Sequence, residues 1–353
     1  MNARWKMQEF FAGCGLAGYA LRNWFETVWA NDISERKSCV YRANFDGSVY
    51  RLENVKSVKG AEVPVAHLSW ASFPCQDLSL AGRMAGINSS RSGLVWEWFR
   101  ILDEMPVKPK VLALENVMGY VSADGGSACR AVHSALMDRG YVGGAVMLDA
   151  SLFLPQSRKR IFHIAVKKGT ALPRDIAGYA PCWLHSSAVQ HIGQKLDGWI
   201  WWTAPKPMPR TECLQDIVED GIPFDKDAIL DILSERHKRM LEECGDAVAA
   251  GYQRTRNGRQ VLELRLDGLA GCLRTLAGGC NRQYLVVKRN GVVHARLMTL
   301  REAGHLMGVP DSFAFPDGYR EGWDAMGDAV AVPAVEFIGR HFLAPLAEAA
   351  YAS

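Results

Sequence analysis

The sequence predicts an α/β fold: a doubly wound, Rossmann-like sheet with a smaller, irregular domain placed before the C-terminal helix. Three observations predict it. Short apolar runs alternate with helix-like segments through the first half of the 353 residues, which is the pattern of strand–helix–strand units on a parallel sheet. A glycine-bearing turn follows the first apolar run, and an acid follows the second. After Lys167 the texture changes to a stretch rich in Pro, Gly and Trp with little periodicity.

The elements follow in order. Met7–Phe11 reads as the first strand, and Leu16–Trp24 as the helix after its turn. Thr27–Ala30 is the second strand and Lys37–Asn44 the second helix. The apolar run Val65–Phe73 is a buried strand that Pro74 stops. Gly93–Met105 is helical, Val111–Leu114 a strand, Ala128–Arg139 a helix, and Val142–Leu148 and Ile161–Val166 are strands. In the second half a charged helical piece, Lys226–Glu243, precedes short β-like runs at Val261–Arg265 and Tyr284–Val287. Ala329–Leu346 reads as an amphipathic helix that returns to the first domain. Trp199, Trp201 and Trp202 could wedge into a nucleic acid, but such residues more often build a core.

Composition excludes several classes. The apolar fraction is 48%, and no run of about 18 uncharged apolar residues marks a transmembrane helix. The N-terminus has no apolar stretch suited to a secretory signal. The nine cysteines have no regular spacing and no CxxC pair. They predict free thiols in a reducing, cytoplasmic compartment, with neither a disulfide framework nor a metal site. The net charge is +3, but basic residues gather at Arg254, Arg256, Arg259, Arg265, Arg274, Arg282, Lys288 and Arg289. Glu263 and Asp267 alone oppose them in that segment, which is a candidate polyanion surface.

In an open α/β sheet, ligands bind beyond the carboxyl ends of the strands. There the sequence places Gly13 and Gly15, Asp32, the trio Pro74–Cys75–Gln76, and Glu115–Asn116. Glycines allow a tight turn and close approach of a ligand to the backbone. An acid about 20 residues on can accept bonds from ribose hydroxyls. Together they suggest an adenosine-containing cofactor, although a lone Gly-x-Gly is also an ordinary turn. Glu115 could donate a proton to a ring nitrogen or merely cap the next helix, and Asn116 could hold a loop in place. Cys75, on a loop after a strand, is a candidate nucleophile served by Arg91 or the Arg158–Lys159–Arg160 cluster.

These stretches resemble the DNA (cytosine-5)-methyltransferases, almost end to end. FAGCG is similar to the family's S-adenosylmethionine loop, and WANDISERKSCVYRANF to the segment whose acid, here Asp32, binds the ribose. SFPCQDLSLAG resembles the catalytic Pro-Cys-Gln motif, with Arg91 in the arginine position of that block. LALENV resembles the Glu-Asn-Val motif and LPQSRKRIF the Gln-x-Arg-x-Arg motif. RLMTLREAGHLMGVPDSF and GDAVAVPAVEFIG resemble the last two motifs.

The resemblance implies roles. Cys75 would attack C6 of a cytosine, Glu115 would bind or protonate N3, Arg160 would hold the base or Glu115, and Arg158 would support the site. S-adenosyl-L-methionine would lie against Phe11, Gly13, Gly15, Asp32, Ile33, Asn54, Pro74, Asp328 and Ala329, leaving as S-adenosyl-L-homocysteine. Gln76, Ser79, Arg91, Asn116, Thr275 and Leu276 would serve the substrate side. No metal is implied. Residues 1–168 and 322–353 would form the catalytic domain, and 169–321 the target recognition domain. The partner would be double-stranded DNA, its target base flipped out of the stack, and a monomer is the default. Two departures stand out: Leu16 replaces a second glycine, and Asp328 replaces the usual asparagine of the last motif. Two rivals stay open, a tRNA cytosine-5 methyltransferase and a catalytically silent DNA-binding member of the fold.

Overall fold

The structure is a computed structural model that describes residues 4–74, 93–276, 281–316 and 318–352. Its centre is a seven-stranded sheet. The strands are β1 (Trp5–Phe10), β2 (Phe25–Asp32), β3 (Tyr50–Leu52), β4 (Leu68–Ala71), β5 (Val111–Val117), β6 (Tyr141–Asp149) and β7 (Lys159–Lys167). They lie in the order β3-β2-β1-β4-β5-β7-β6. All neighbours are parallel except β7, which runs antiparallel to both β5 and β6. The order reverses between β1 and β4, which is where a doubly wound sheet opens a ligand crevice.

Both faces of the sheet are covered, so its central strands are buried on both sides and mostly apolar rather than alternating. Val111 and Ala113 of β5 face one cluster, shared with Met7, Trp70, Phe162 and the C-terminal residues Val335, Ile338 and Leu346. Leu112 and Leu114 face the other, built with Trp98, Phe99 and Ile101 of helix Leu94–Glu104 and Val132 and Leu136 of helix Ser127–Asp138. The expected single helix over Ala329–Leu346 is a succession of turns: α-helix Val332–Ile338, one wider π turn at Gly339–Leu343, and α-helix Ala344–Tyr351. The most apolar 18-residue window of Tyr319–Tyr351 has a mean hydropathy of 1.3, and 67% of it is buried.

Residues beyond Lys167 do not leave the large sheet at once. β8 (Ala177–Gly178) and β9 (Trp201–Trp202) pair antiparallel, and this segment packs on the β6 edge. Ile200 N–H donates to the Gly143 carbonyl at 2.8 Å, and Gly143 N–H to the Gly198 carbonyl at 3.2 Å. A side chain on Gly144 would lie 2.0 Å from the Ile200 carbonyl, so glycine permits this approach. Trp202 is fully buried, with its indole N–H directed at the Gly144 and Ile164 carbonyls. Trp202 is core, and Trp199 and Trp201 are half-buried and meet each other edge to face.

The segment expected to be irregular contains an ordered four-stranded antiparallel sheet in the order β11-β10-β12-β13. Its strands are β10 (Ala247–Arg256), β11 (Arg259–Arg265), β12 (Gln283–Arg289) and β13 (Val292–Leu297). Two Asn-Gly turns build it. Asn257 and Gly258 have φ of 49° and 76°, and Asn290 and Gly291 have 51° and 76°, the left-handed pair a two-residue hairpin needs. A small core of Leu262, Leu264, Val286 and Ala295 packs on Leu233 and Leu241. The sheet is joined to helix Leu300–Met307 by a buried pair, Arg296 Nη2 to Glu302 Oε1 at 2.5 Å.

Candidate active site

The crevice at the β1/β4 reversal holds a cavity of about 640 Å³, within the usual size of a small-molecule site. One wall is the turn after β1. Phe11, Gly13 and Gly15 all take positive φ, at 57°, 56° and 82°. For Phe11 this conformation is strained, and such strain concentrates at ligand clamps. A Cβ on Gly15 would lie 2.6 Å from the Tyr41 ring, so only glycine fits there. Leu16, by contrast, is the first residue of helix Leu16–Leu21 and is buried in the core. A glycine is not required at that position.

Asp32, at the end of β2, grips this turn. Its carboxylate accepts from Gly13 N–H at 2.9 Å and from Ser34 N–H at 2.8 Å. Each oxygen keeps a second lone pair, open to a hydroxyl donor. Tyr50 O–H donates to the Gly13 carbonyl at 3.2 Å. Beside Asp32, Ile33 lines the cavity and is 68% exposed, a free apolar surface of the kind an adenine ring covers. Asn31 Nδ2 donates to the Arg51 and Glu53 carbonyls at 3.1 and 3.0 Å. That holds the loop after β3 so that Asn54 lines the cavity too. Asn54 Oδ1 is already used, accepting from Lys56 N–H at 3.0 Å.

The far wall comes from β4, β5 and β7. Glu115 and Arg160 lie on adjacent antiparallel strands, where Arg160 stands opposite Val117. Val117 and Glu115 are two residues apart and share a face, so the guanidinium reaches the carboxylate: Arg160 Nε lies 2.9 Å from Glu115 Oε1. Their side chains are 15% and 9% exposed. Pro74 lines the same cavity and is the last described residue before position 93. Cys75, Gln76, Ser79 and Arg91 lie outside the described residues.

Several expected residues take other parts. Asn116 lines the cavity and holds the neighbouring backbone: its Nδ2 donates to the Phe73 carbonyl at 2.9 Å, and its Oδ1 accepts from Val117 N–H at 2.9 Å. Arg158 does not line the cavity. It is 2% exposed and donates to the Leu273 and Gly327 carbonyls, each at 2.9 Å, and to the Ala329 carbonyl at 2.5 Å. Burial, aided by Arg160, pushes its pKa down to about 10. Arg158 is thus a brace that fastens the loop before Thr275 and the segment Gly327–Ala329 to β7. Gln156 does the same, donating to the Leu306 carbonyl at 2.5 Å and accepting from Leu273 N–H at 3.1 Å. Thr275 and Ala329 line the cavity as expected. Leu276 does not; its N–H is held by Asp324 Oδ1 at 2.6 Å.

Two cavity residues escaped sequence reasoning. Glu9 is fully buried beneath the glycine turn and accepts from Gly18 N–H at 3.1 Å. Burial pushes its carboxyl up to about 8. An acid inside the apolar run was a visible signal. Lys37 faces Asp328, Nζ to Oδ2 at 2.5 Å, and nothing in the local pattern marks it. Among the described residues no group of His, Cys, Asp and Glu has the arrangement of a metal site.

The chain is similar to known proteins over nearly its whole length. The type II methyltransferase M.Bsp6I of Bacillus sp. (strain RFL6) is 24% identical over 349 residues, covering 95% of this chain and 98% of that protein. M.HhaI of Haemophilus parahaemolyticus, also a type II methyltransferase, is 24% identical over 342 residues, 94% of this chain and 91% of that one. Among solved structures, the Dnmt2 methyltransferase of S. pombe superposes with a TM-score of 0.62 at 18% identity, covering 97% and 99%. A mutant DNMT2 of Spodoptera frugiperda gives 0.66 at 16%, covering 98% and 99%. The family model for the C-5 cytosine-specific DNA methylases matches residues 5–344, and the chain belongs to that family.

Proposed function

We propose that this chain is an S-adenosylmethionine-dependent enzyme that methylates C5 of a cytosine flipped out of double-stranded DNA, acting as a monomer in a cytoplasmic compartment. One observation carries the reading: Glu115, the proton donor, is fixed by Arg160 at 2.9 Å on the wall that also presents Pro74. The donor pocket fits its ligand by its own construction. Gly15 has no room for a side chain, Asp32 offers free lone pairs to a ribose, and Ile33 offers an apolar face.

The chain's residues divide the work. Cys75 adds to C6 of the cytosine while Glu115 hydrogen-bonds or protonates N3, so that electron density moves to C5. S-adenosylmethionine supplies the electrophilic methyl group. Loss of the C5 proton and departure of Cys75 restore the aromatic ring and the free thiolate. Asn116 holds the Phe73 carbonyl, two positions before Cys75 in the sequence. Unstacking the base costs a few kcal/mol, and Arg254, Arg259, Arg274 and Arg289 offset it through phosphate contacts.

Methylation mapping tests the proposal. The chain and its Cys75→Ser variant are expressed in a host without cytosine methylation, and genomic DNA is read for 5-methylcytosine at single-base resolution. Methylation at one short motif, absent in the variant, is the expected result. Soluble protein that leaves DNA unmodified but methylates tRNA in a parallel assay would replace DNA by RNA. Modification of neither would mark a silent binding protein.

A further inference from the structure

The cavity holds a second pair of opposite charges that the reaction above does not use. Lys37 stands in the first turn of helix Glu35–Asn44, and Asp328 ends helix Tyr319–Asp328. Their Nζ–Oδ2 distance is 2.5 Å, with side chains 21% and 49% exposed. The Lys37 stem crosses the glycine turn, its Cδ 3.7 Å from where a Cβ on Gly13 would stand. Burial works against the ammonium, yet Asp328 and then Asp32 outweigh it and hold its pKa above the ordinary value.

A helix-to-helix tie is a weak reason for this pair. Half-exposed ion pairs contribute little to stability, and Arg36–Glu321 at 3.8 Å already joins the same two helices. Two of the pocket's other charges already have partners. Glu115 is engaged by Arg160, and Asp32 by the Gly13 and Ser34 N–H groups. With the ribose at Asp32 and the transferred methyl directed at the Glu115 wall, the donor's amino-acid end is left with the glycine turn and Gly327–Ala329. That end is a zwitterion, one carboxylate and one ammonium.

We propose that Lys37 and Asp328 are a matched clamp for this zwitterion: on binding, the pair opens, Lys37 takes the α-carboxylate and Asp328 the α-ammonium. The inference rests on the reading of the pocket as a S-adenosylmethionine site. One ion pair is exchanged for two, so no charge is left without a partner. An aspartate at position 328 is matched both to the lysine opposite and to a cationic ligand group. Both residues are positioning residues, remote from the reacting carbon.

Calorimetric titration of the full chain tests the clamp with three ligands. S-adenosylhomocysteine carries both charges, its decarboxylated analogue only the ammonium, and 5′-methylthioadenosine neither. Lys37→Met is expected to weaken S-adenosylhomocysteine by about 10–100-fold, the worth of a hydrogen bond to a charged group. It should leave the other two ligands unchanged, and Lys37→Arg should retain most of the affinity. Asp328→Asn is expected to weaken the decarboxylated analogue by about tenfold and to leave 5′-methylthioadenosine unchanged. A Lys37→Met variant that loses all three ligands alike, or none, overturns the clamp and leaves a structural tie. A wild-type chain that binds none of the three refutes the reading of the pocket, and the clamp with it.

Discussion

Each lobe of this protein carries an arginine–glutamate pair of similar length. At the large sheet Arg160 meets Glu115 at 2.9 Å, and on the small sheet Arg256 meets Glu263 at 2.6 Å. The first pair is 15% and 9% exposed, the second 62% and 31%. Water screens the second pair and competes with it, so its contribution is small. The first lies where field strengths are high and where removal of one partner leaves a charge without compensation. Distance alone therefore says little about an ion pair; the surroundings decide whether it does chemistry.

The sharpest way to break this comparison is to neutralise both acids. Glu115→Gln should lower methylation by about 10²–10⁴-fold, the usual worth of a positioned acid–base group, and lower the melting temperature because Arg160 loses its charged partner. Glu263→Gln should leave turnover and melting at wild-type values. Equal losses in the two variants would show that the pocket pair is not special.

Arg158 and Arg160 stand two positions apart but have different partners, backbone carbonyls for the first and the Glu115 carboxylate for the second. Arg158→Ala strands three carbonyls in the interior, each worth about 1–3 kcal/mol when left unsatisfied. A drop of about 3 kcal/mol or more is expected in denaturant unfolding. Arg160→Ala leaves the carboxylate of Glu115, 9% exposed, without its partner; it should cost less stability than the loss of three carbonyl partners and reduce turnover of the folded protein. If both variants unfold alike, Arg160 too is structural.

Glycines sharpen the contrast between lobes further. Gly15→Ala places a methyl 2.6 Å from the ring of Tyr41, which is itself packed between Phe45 and Tyr50 and cannot swing away. Gly258→Ala meets nothing within 4 Å, leaving only the left-handed strain of roughly 1–2 kcal/mol. Melting of Gly15→Ala should fall further than that of Gly258→Ala, and S-adenosylhomocysteine binding should weaken in the first variant alone.

The smallest expected effect is a slope. Burial raises the Glu9 carboxyl from 4.5 to about 8. Below pH 4.5 the group is protonated whether the chain is folded or unfolded. Between there and pH 8 the unfolded chain loses the proton while the folded chain keeps it, so stability falls as pH rises. Glu9→Gln should flatten that decline, matching wild type near pH 4.5 and exceeding it at pH 8. Parallel melting curves across this range would show that Glu9 titrates normally.

Much of the large lobe was legible because it follows local rules. Six strands of the large sheet announce themselves as apolar runs, and the groups that build the pocket follow those runs directly. β3 is three residues long, too short to leave a period. The small sheet was legible in principle, since Asn257–Gly258 and Asn290–Gly291 are strong hairpin signals, but its strands lie in a charged stretch that reads as surface. Within the Gln-x-Arg-x-Arg segment the spacing does not tell bracing from chemistry. Gln156 and Arg158 precede β7 and meet Leu273 across a short bridge, whereas Arg160 lies within β7, beside Glu115.

What the sequence by itself determined is the order of strands and turns and the identity of the chemical groups at their ends. Hydrophobic period and turn chemistry act over a few residues, so they are written locally. What only the tertiary structure decided is partnership. Lys37 and Asp328 are 291 positions apart, and Arg158 meets Gly327 from 169 positions away. Electrostatic and hydrogen-bonding energies depend on distance in space and on burial. Neither quantity exists until the chain has closed on itself.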